Sequence, residues 1–98
     1  MTSPVVSIVI PVYEEGEAIM PCLDRILGGV ELPCELLAVY DDPSDSTVPF
    51  LEQYADKDPR VLPVLNGHGT GPARAIRWGI DQAQAPCLLY TSPSPRDS

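Results

Sequence analysis

The chain has 98 residues, with 14 Asp and Glu against 6 Lys and Arg, giving a formal net charge of −8. That length holds one small domain, and 44% hydrophobic content supplies a modest core. The acid excess excludes a phosphate-backbone binder, and no apolar run approaches the roughly 20 residues that span a bilayer.

Val5-Val6-Ser7-Ile8-Val9-Ile10 is a short β-branched run that reads as a strand buried on both faces, ended by Pro11. Glu14, Glu15 and Glu17 then lead into Ile19, Leu23, Ile26, Leu27 and Val30, whose spacing predicts a helix beginning near Ile19 or Met20. Pro21 fits only its first turn, and Gly28-Gly29 suits its stop. Leu36-Leu37-Ala38-Val39-Tyr40 predicts a second buried strand, ending at Asp41-Asp42-Pro43-Ser44-Asp45-Ser46. A short helix follows from Thr47 through Phe50, Leu51 and Tyr54. Val61 to Leu65 predicts a third strand, with Pro63 marking an edge or a bulge. Asn66-Gly67-His68-Gly69-Thr70-Gly71 then opens a helix from Pro72, with an apolar stripe of Ala73, Ile76, Ile80 and Ala83.

This alternation predicts an α/β domain of three to four mostly parallel strands with flanking helices. In such a sheet the turns after the three strands share one edge, where α/β folds hold ligands. Cys22, Cys34 and Cys87 show no C-x-x-C spacing, so neither a disulfide scaffold nor a zinc site is expected. They indicate a reducing, cytoplasmic compartment, and Met1-Thr2-Ser3-Pro4 lacks the parts of a secretion signal.

The segment Cys87-Leu88-Leu89-Tyr90 has the composition of a fourth strand, followed by a Ser/Pro-rich tail. The eleven residues from Cys87 to Asp97 are also the translation of one frame of a common transposon-type sequencing adapter. On that reading residues 1–86 are the native part, and residues 87–98 carry no functional inference.

Three segments carry a resemblance: Val6-Ser7-Ile8-Val9-Ile10-Pro11-Val12-Tyr13-Glu14-Glu15, Val39-Tyr40-Asp41-Asp42-Pro43-Ser44-Asp45-Ser46-Thr47, and Asn66 through Ile80. In this order and spacing they resemble the family 2 glycosyltransferases, with the branch of polyprenyl-phosphate sugar synthases nearest. The resemblance covers about Val5 to Pro86. It implies a Rossmann-like GT-A nucleotide-binding half and transfer of sugar, with inversion, from a nucleoside-diphosphate sugar to a sugar or lipid-phosphate acceptor. It also implies a divalent metal, Mg2+ or Mn2+, held by an Asp-x-Asp motif one strand beyond Pro86. The chain would then be an inactive amino-terminal fragment, without catalytic residues, touching a membrane's cytoplasmic face only through missing regions. Two departures stand out. Glu14 replaces the family's usual Asn, and Asp-Asp-Pro-Ser-Asp is one residue shorter than the usual Asp-Asp-Gly-Ser-x-Asp.

Each candidate carries two readings. Pro11, Tyr13 and Glu15 are a strand stop with solvated acids; under the resemblance they contact the donor, with Tyr13 offering an aromatic face to the base. Asp41 and Asp42 can accept the imide N–H of uracil or the N1–H and amino group of guanine. Alternatively, Asp42 and Ser44 close an Asx-type turn and Asp45 caps the next helix. The Gly67-x-Gly69-x-Gly71 triplet is a phosphate cradle or a turn using positive φ. Arg74 and Arg77 can approach a diphosphate or face water. His68, single and without partners, is a poor catalytic candidate.

Two other classes fit the sequence less well. A receiver-like domain binding Mg2+ through clustered carboxylates needs an acceptor Asp after the third strand, where this chain has Asn66-Gly67. A nucleotidyltransferase begins with a basic glycine loop after the first strand, where this chain has Glu14-Glu15-Gly16-Glu17. A chain holding half a sheet could also fold poorly and aggregate through its open edge.

Overall fold

Val6 to Ile10 are all buried, so the first strand must be covered on both faces. The computed structural model describes residues 4–67, 72–85 and 87–90, with residues 72 and 87–90 described through their backbone alone. Its elements are β1 (Val6–Val12), a 3-10 turn (Gly16–Ala18), α1 (Ile19–Gly28), β2 (Cys34–Tyr40), α2 (Val48–Lys57), β3 (Val61–Leu65), α3 (Pro72–Gln82) and β4 (Cys87–Tyr90). The four strands form one sheet in the order β3-β2-β1-β4, and every pairing is parallel.

The strand pattern divides the core in two. Val6, Ile8, Ile10 and Val12, with Leu36, Ala38 and Val61, meet Ile19, Leu23 and Leu27 of α1 and Leu51 of α2. The alternate residues Val9, Leu37 and Val39 meet Ala75 and Trp78 of α3. The α3 stripe therefore differs from the expected one. Ala75 and Gly79 are buried, whereas Ala73 and Ile80 are exposed. The reason is proximity: a Cβ on Gly79 would lie 2.3 Å from Val9 Cγ1, so the small residues seat α3 directly on β1.

Both strand prolines follow from the ladder. Leu36 N–H donates to Arg60 O at 2.7 Å and Asn66 N–H to Tyr40 O at 2.8 Å. Parallel strands alternate their bonding sides, so Pro63 turns its missing N–H to the open edge of the sheet. Pro11 does not end β1, which continues to Val12. Its missing N–H faces the β4 side, where pairing reaches only Val9.

At the amino-terminal end of the sheet, Ser7 and Glu35 are register partners and both are buried. Ser7 Oγ donates to Glu35 Oε2 at 2.5 Å and accepts Ala85 N–H at 3.0 Å, while Glu35 Oε2 accepts Gln84 N–H at 2.7 Å. The pair thus ties the chain leaving α3 to the two central strands. On the other face, Tyr54 Oη donates to Asp24 Oδ1 at 2.5 Å, joining α2 to α1. Among the described residues no helix is long and apolar enough to cross a membrane.

Two outcomes follow. Gly79→Ala gains helix propensity yet collides with Val9, so a net loss of about 1–2 kcal/mol is expected in thermal or urea unfolding. A rise in stability would refute this close seating, and Val9→Ala in the same chain should recover part of the loss. Burial first, then the Asp24 hydrogen bond, pushes the Tyr54 phenol up to about 12. A raised folded-state value means that its stabilisation is complete below the ordinary value near 10 and is lost as pH climbs toward 12. Phenolate absorbance should show one late-titrating tyrosine that Tyr54→Phe removes.

Candidate functional site

The register brings the three turns together. Val12 pairs with Tyr40 and Tyr40 with Leu65, so Tyr13, Asp41 and Asn66 leave adjacent strands at one edge of the sheet. Because α3 follows β3, its first turn, with Arg74 exposed on it, belongs to the same edge.

Tyr13 is 73% exposed, an aromatic face open at the end of β1. Pro11 is half-buried behind it. The backbone then bends through two positive φ values, 52° at Glu14 and 59° at Gly16. This bend turns three successive N–H groups toward the β2–α2 connection. Glu14 N–H donates to both Asp45 carboxylate oxygens, at 3.1 and 2.9 Å. Glu15 and Gly16 donate to Thr47 Oγ1 at 2.8 and 3.1 Å. Ser46 Oγ adds a bond to Glu14 Oε2 at 3.1 Å.

Asp45 thus does more than the expected cap. It is buried two residues before the N-cap position, which Thr47 occupies, and Asp45 Oδ1 takes Thr47 N–H at 2.7 Å. The sequence marks Thr47 only as the start of a helix, and nothing in it announces the reach to Glu15 and Gly16.

The two adjacent carboxylates are compensated separately. Asp42 closes the Asx-type turn, its Oδ1 accepting Ser44 N–H at 2.9 Å and the Ser44 hydroxyl at 2.8 Å. The Ser44 N–H first, and its hydroxyl second, hold the exposed Asp42 carboxyl below the usual range, so it is ionised at neutral pH. Asp41 Oδ1 accepts Asn66 Nδ2–H at 3.0 Å, and Asn66 is buried. Asn66 is a second residue the sequence did not single out; its signal is a polar side chain directly following a strand.

Gly67 is needed for packing rather than for positive φ, since a Cβ there would lie 2.6 Å from the Trp78 ring. Gly71, with His68 and Gly69, lies outside the described residues. Arg77 faces water, its Nε 4.0 Å from Asp81 Oδ1. Cys22 and Cys34 are buried and free of disulfides, and burial pushes the Cys22 thiol up, away from nucleophilic character. An open groove of about 430 Å3 beside Pro33, Glu35, Arg60 and Gln84 lies at the opposite, amino-terminal edge. Its charged groups are engaged elsewhere, Glu35 with Ser7 and Gln84, Arg60 with Asp58 at 2.6 Å.

Among the described residues no group of three or more His, Cys, Asp or Glu is arranged to hold a metal ion. Asp41 and Asp42 are turned to Asn66 and Ser44, so these residues do not by themselves fit a divalent-ion site.

The chain matches known proteins in sequence and in fold. An uncharacterized glycosyltransferase of Haemophilus influenzae is 28% identical over 94 residues, covering 92% of this chain and 36% of the relative. The undecaprenyl-phosphate 4-deoxy-4-formamido-L-arabinose transferase of Proteus mirabilis is 33% identical over 88 residues, covering 86% and 27%. The fold is that of a mannosyltransferase, PcManGT from Pyrobaculum calidifontis, solved in complex with GDP-Man and Mn2+. The TM-score is 0.76 at 22% identity, covering 94% of this chain and 28% of that one. The chain thus spans about a third or less of the length of these relatives. The profile of glycosyl transferase family 2 matches residues 7–91, and the chain belongs to that family.

Proposed function

We propose that this chain is the donor-binding part of an inverting glycosyltransferase that moves a sugar from a nucleoside-diphosphate sugar to an acceptor. The observation that carries this is the register, which gathers Tyr13, Asp41, Asp42 and the start of α3 on one edge. The base lies against the exposed Tyr13 ring, and Asp42, ionised and held by Ser44, accepts its N–H. Asp41 supports the same recognition with one oxygen fixed by Asn66. Glu15 faces the ribose. The diphosphate points away from these acids, toward the first turn of α3 and Arg74, where the helix dipole and a guanidinium favour negative charge. Gly71 belongs to this end of the donor.

A divalent metal would supply charge stabilisation to the departing nucleotide, and its ligands would come from an Asp-x-Asp motif one strand beyond Pro86. The acceptor class favoured is a polyprenyl phosphate. This is supported by the Proteus mirabilis relative, named as an undecaprenyl-phosphate transferase. A lipid phosphate is already ionised and attacks the anomeric carbon without a protein base. The protein then works in the cytoplasm at the membrane face. By itself this chain binds donor without turning it over. The adapter reading of residues 87–97 is compatible with β4, because an apolar extended segment suffices to pair with Val6–Val9.

The test is calorimetric titration of the 98-residue chain with UDP and GDP. One of them should bind, and Tyr13→Ala should weaken it by about tenfold, the usual worth of a base–aromatic stack. Asp42→Asn should weaken it comparably. Affinities unmoved by both substitutions would refute the placement of the base. Sequencing the source DNA past codon 86 should reveal an Asp-x-Asp motif one strand on, and an unrelated continuation would count against the transferase reading.

A further inference from the structure

We propose that Asp45 and Thr47 are positioning residues that lock the Tyr13–Gly16 turn to the β2–α2 turn, so the donor meets one prebuilt surface. This rests on the donor-site reading above.

Thr47 stands at the N-cap of α2 but makes no side-chain bond to its own helix. A capping hydroxyl takes the N–H of the second or third helical residue; here the second is Pro49, which has none, and the third, Phe50, is not taken. The Thr47 hydroxyl is spent instead on Glu15 and Gly16, about thirty residues earlier in the chain. Asp45, 4% exposed, does the same for Glu14 with both oxygens and holds Thr47 N–H as well. Two side chains therefore satisfy every N–H from Glu14 to Gly16.

Successive N–H groups turned one way form a concavity that attracts anions. Here the chain's own carboxylate fills it, so the donor phosphates are excluded from this turn. What the clasp leaves outward is Tyr13 from one turn and Asp42 from the other, their spacing fixed by these part-buried bonds. Removing either clasp residue strands part-buried N–H groups and frees the turns to move apart.

The experiment compares Thr47→Val and Thr47→Ser in the 98-residue chain, reading UDP and GDP affinity and backbone amide exchange. Thr47→Val should weaken the nucleotide that the unmodified chain binds by about tenfold, equivalent to about 1.4 kcal/mol, with faster exchange at residues 14–16. Thr47→Ser keeps the acceptor oxygen and should stay within about twofold on the same scale. Where Thr47→Val does not fold, Asp45→Asn replaces it, with a weaker loss of about threefold expected. Unchanged affinity in the folded variant, with only a lower melting temperature, overturns the proposal and leaves the donor site standing. Failure of the unmodified chain to bind either nucleotide overturns both.

Discussion

The parallel register of β1 against β2 is the constraint on which everything at the rim depends. Ser7 opposite Glu35 and Val12 opposite Tyr40 are the two ends of one ladder. A slip by one residue would exchange the faces of β1, sending Ser7 into the aliphatic core under α1. It would also stagger the turns after β1 and β2 by about 3.3 Å, more than a hydrogen bond tolerates. The ladder is pinned at both ends by polar bonds, the buried Ser7 to Glu35 at one and the part-buried bonds of Asp45 and Thr47 to residues 14–16 at the other. Apolar burial on both faces stabilises the sheet, and these directional bonds choose its alignment.

The two layers of helix serve different ends. On the α1 and α2 side, branched aliphatics fill the space, and Tyr54 with Asp24 ties the helices together. On the α3 side the approach is close because Gly79 faces Val9 and Gly67 lies under Trp78. A helix seated so tightly has little freedom to slide. Its first turn, with Arg74, is therefore set against the rim by packing at its other end.

Much of this was legible in the sequence. Uninterrupted β-branched runs and their alternation with apolar helical spacing gave the parallel α/β sheet, and the order of turn motifs gave the family. Pro63 marked the edge strand because a missing N–H is tolerated only where no ladder bond is made. The α3 stripe differs because the large Ile80 sets the expected face, while the face that meets the sheet is marked by Gly79, which carries no side chain; close approach is invisible to hydrophobic periodicity. The long-range bonds of Asp45 and Thr47 are not legible for a related reason. Their types and positions suit a local cap, and nothing within the local sequence announces that their partners are the N–H groups of residues 14–16. Asn66 escaped notice because its partner, Asp41, is 25 positions away.

The substitution of Glu14 for the family's usual Asn shows how that clasp governs the turn. A left-handed backbone costs a residue with a full side chain about 1–2 kcal/mol, and Asn escapes part of that cost. Glu14 has no such relief, yet it holds φ at 52°. Its N–H is bound by two carboxylate oxygens and its own carboxylate by Ser46, and charge-assisted bonds of this kind are the stronger ones. The strain is thus offset from the other turn rather than within its own. In this chain the segment Asp41 to Thr47 thus delivers Asp45 and Ser46 to the place where Glu14 needs them.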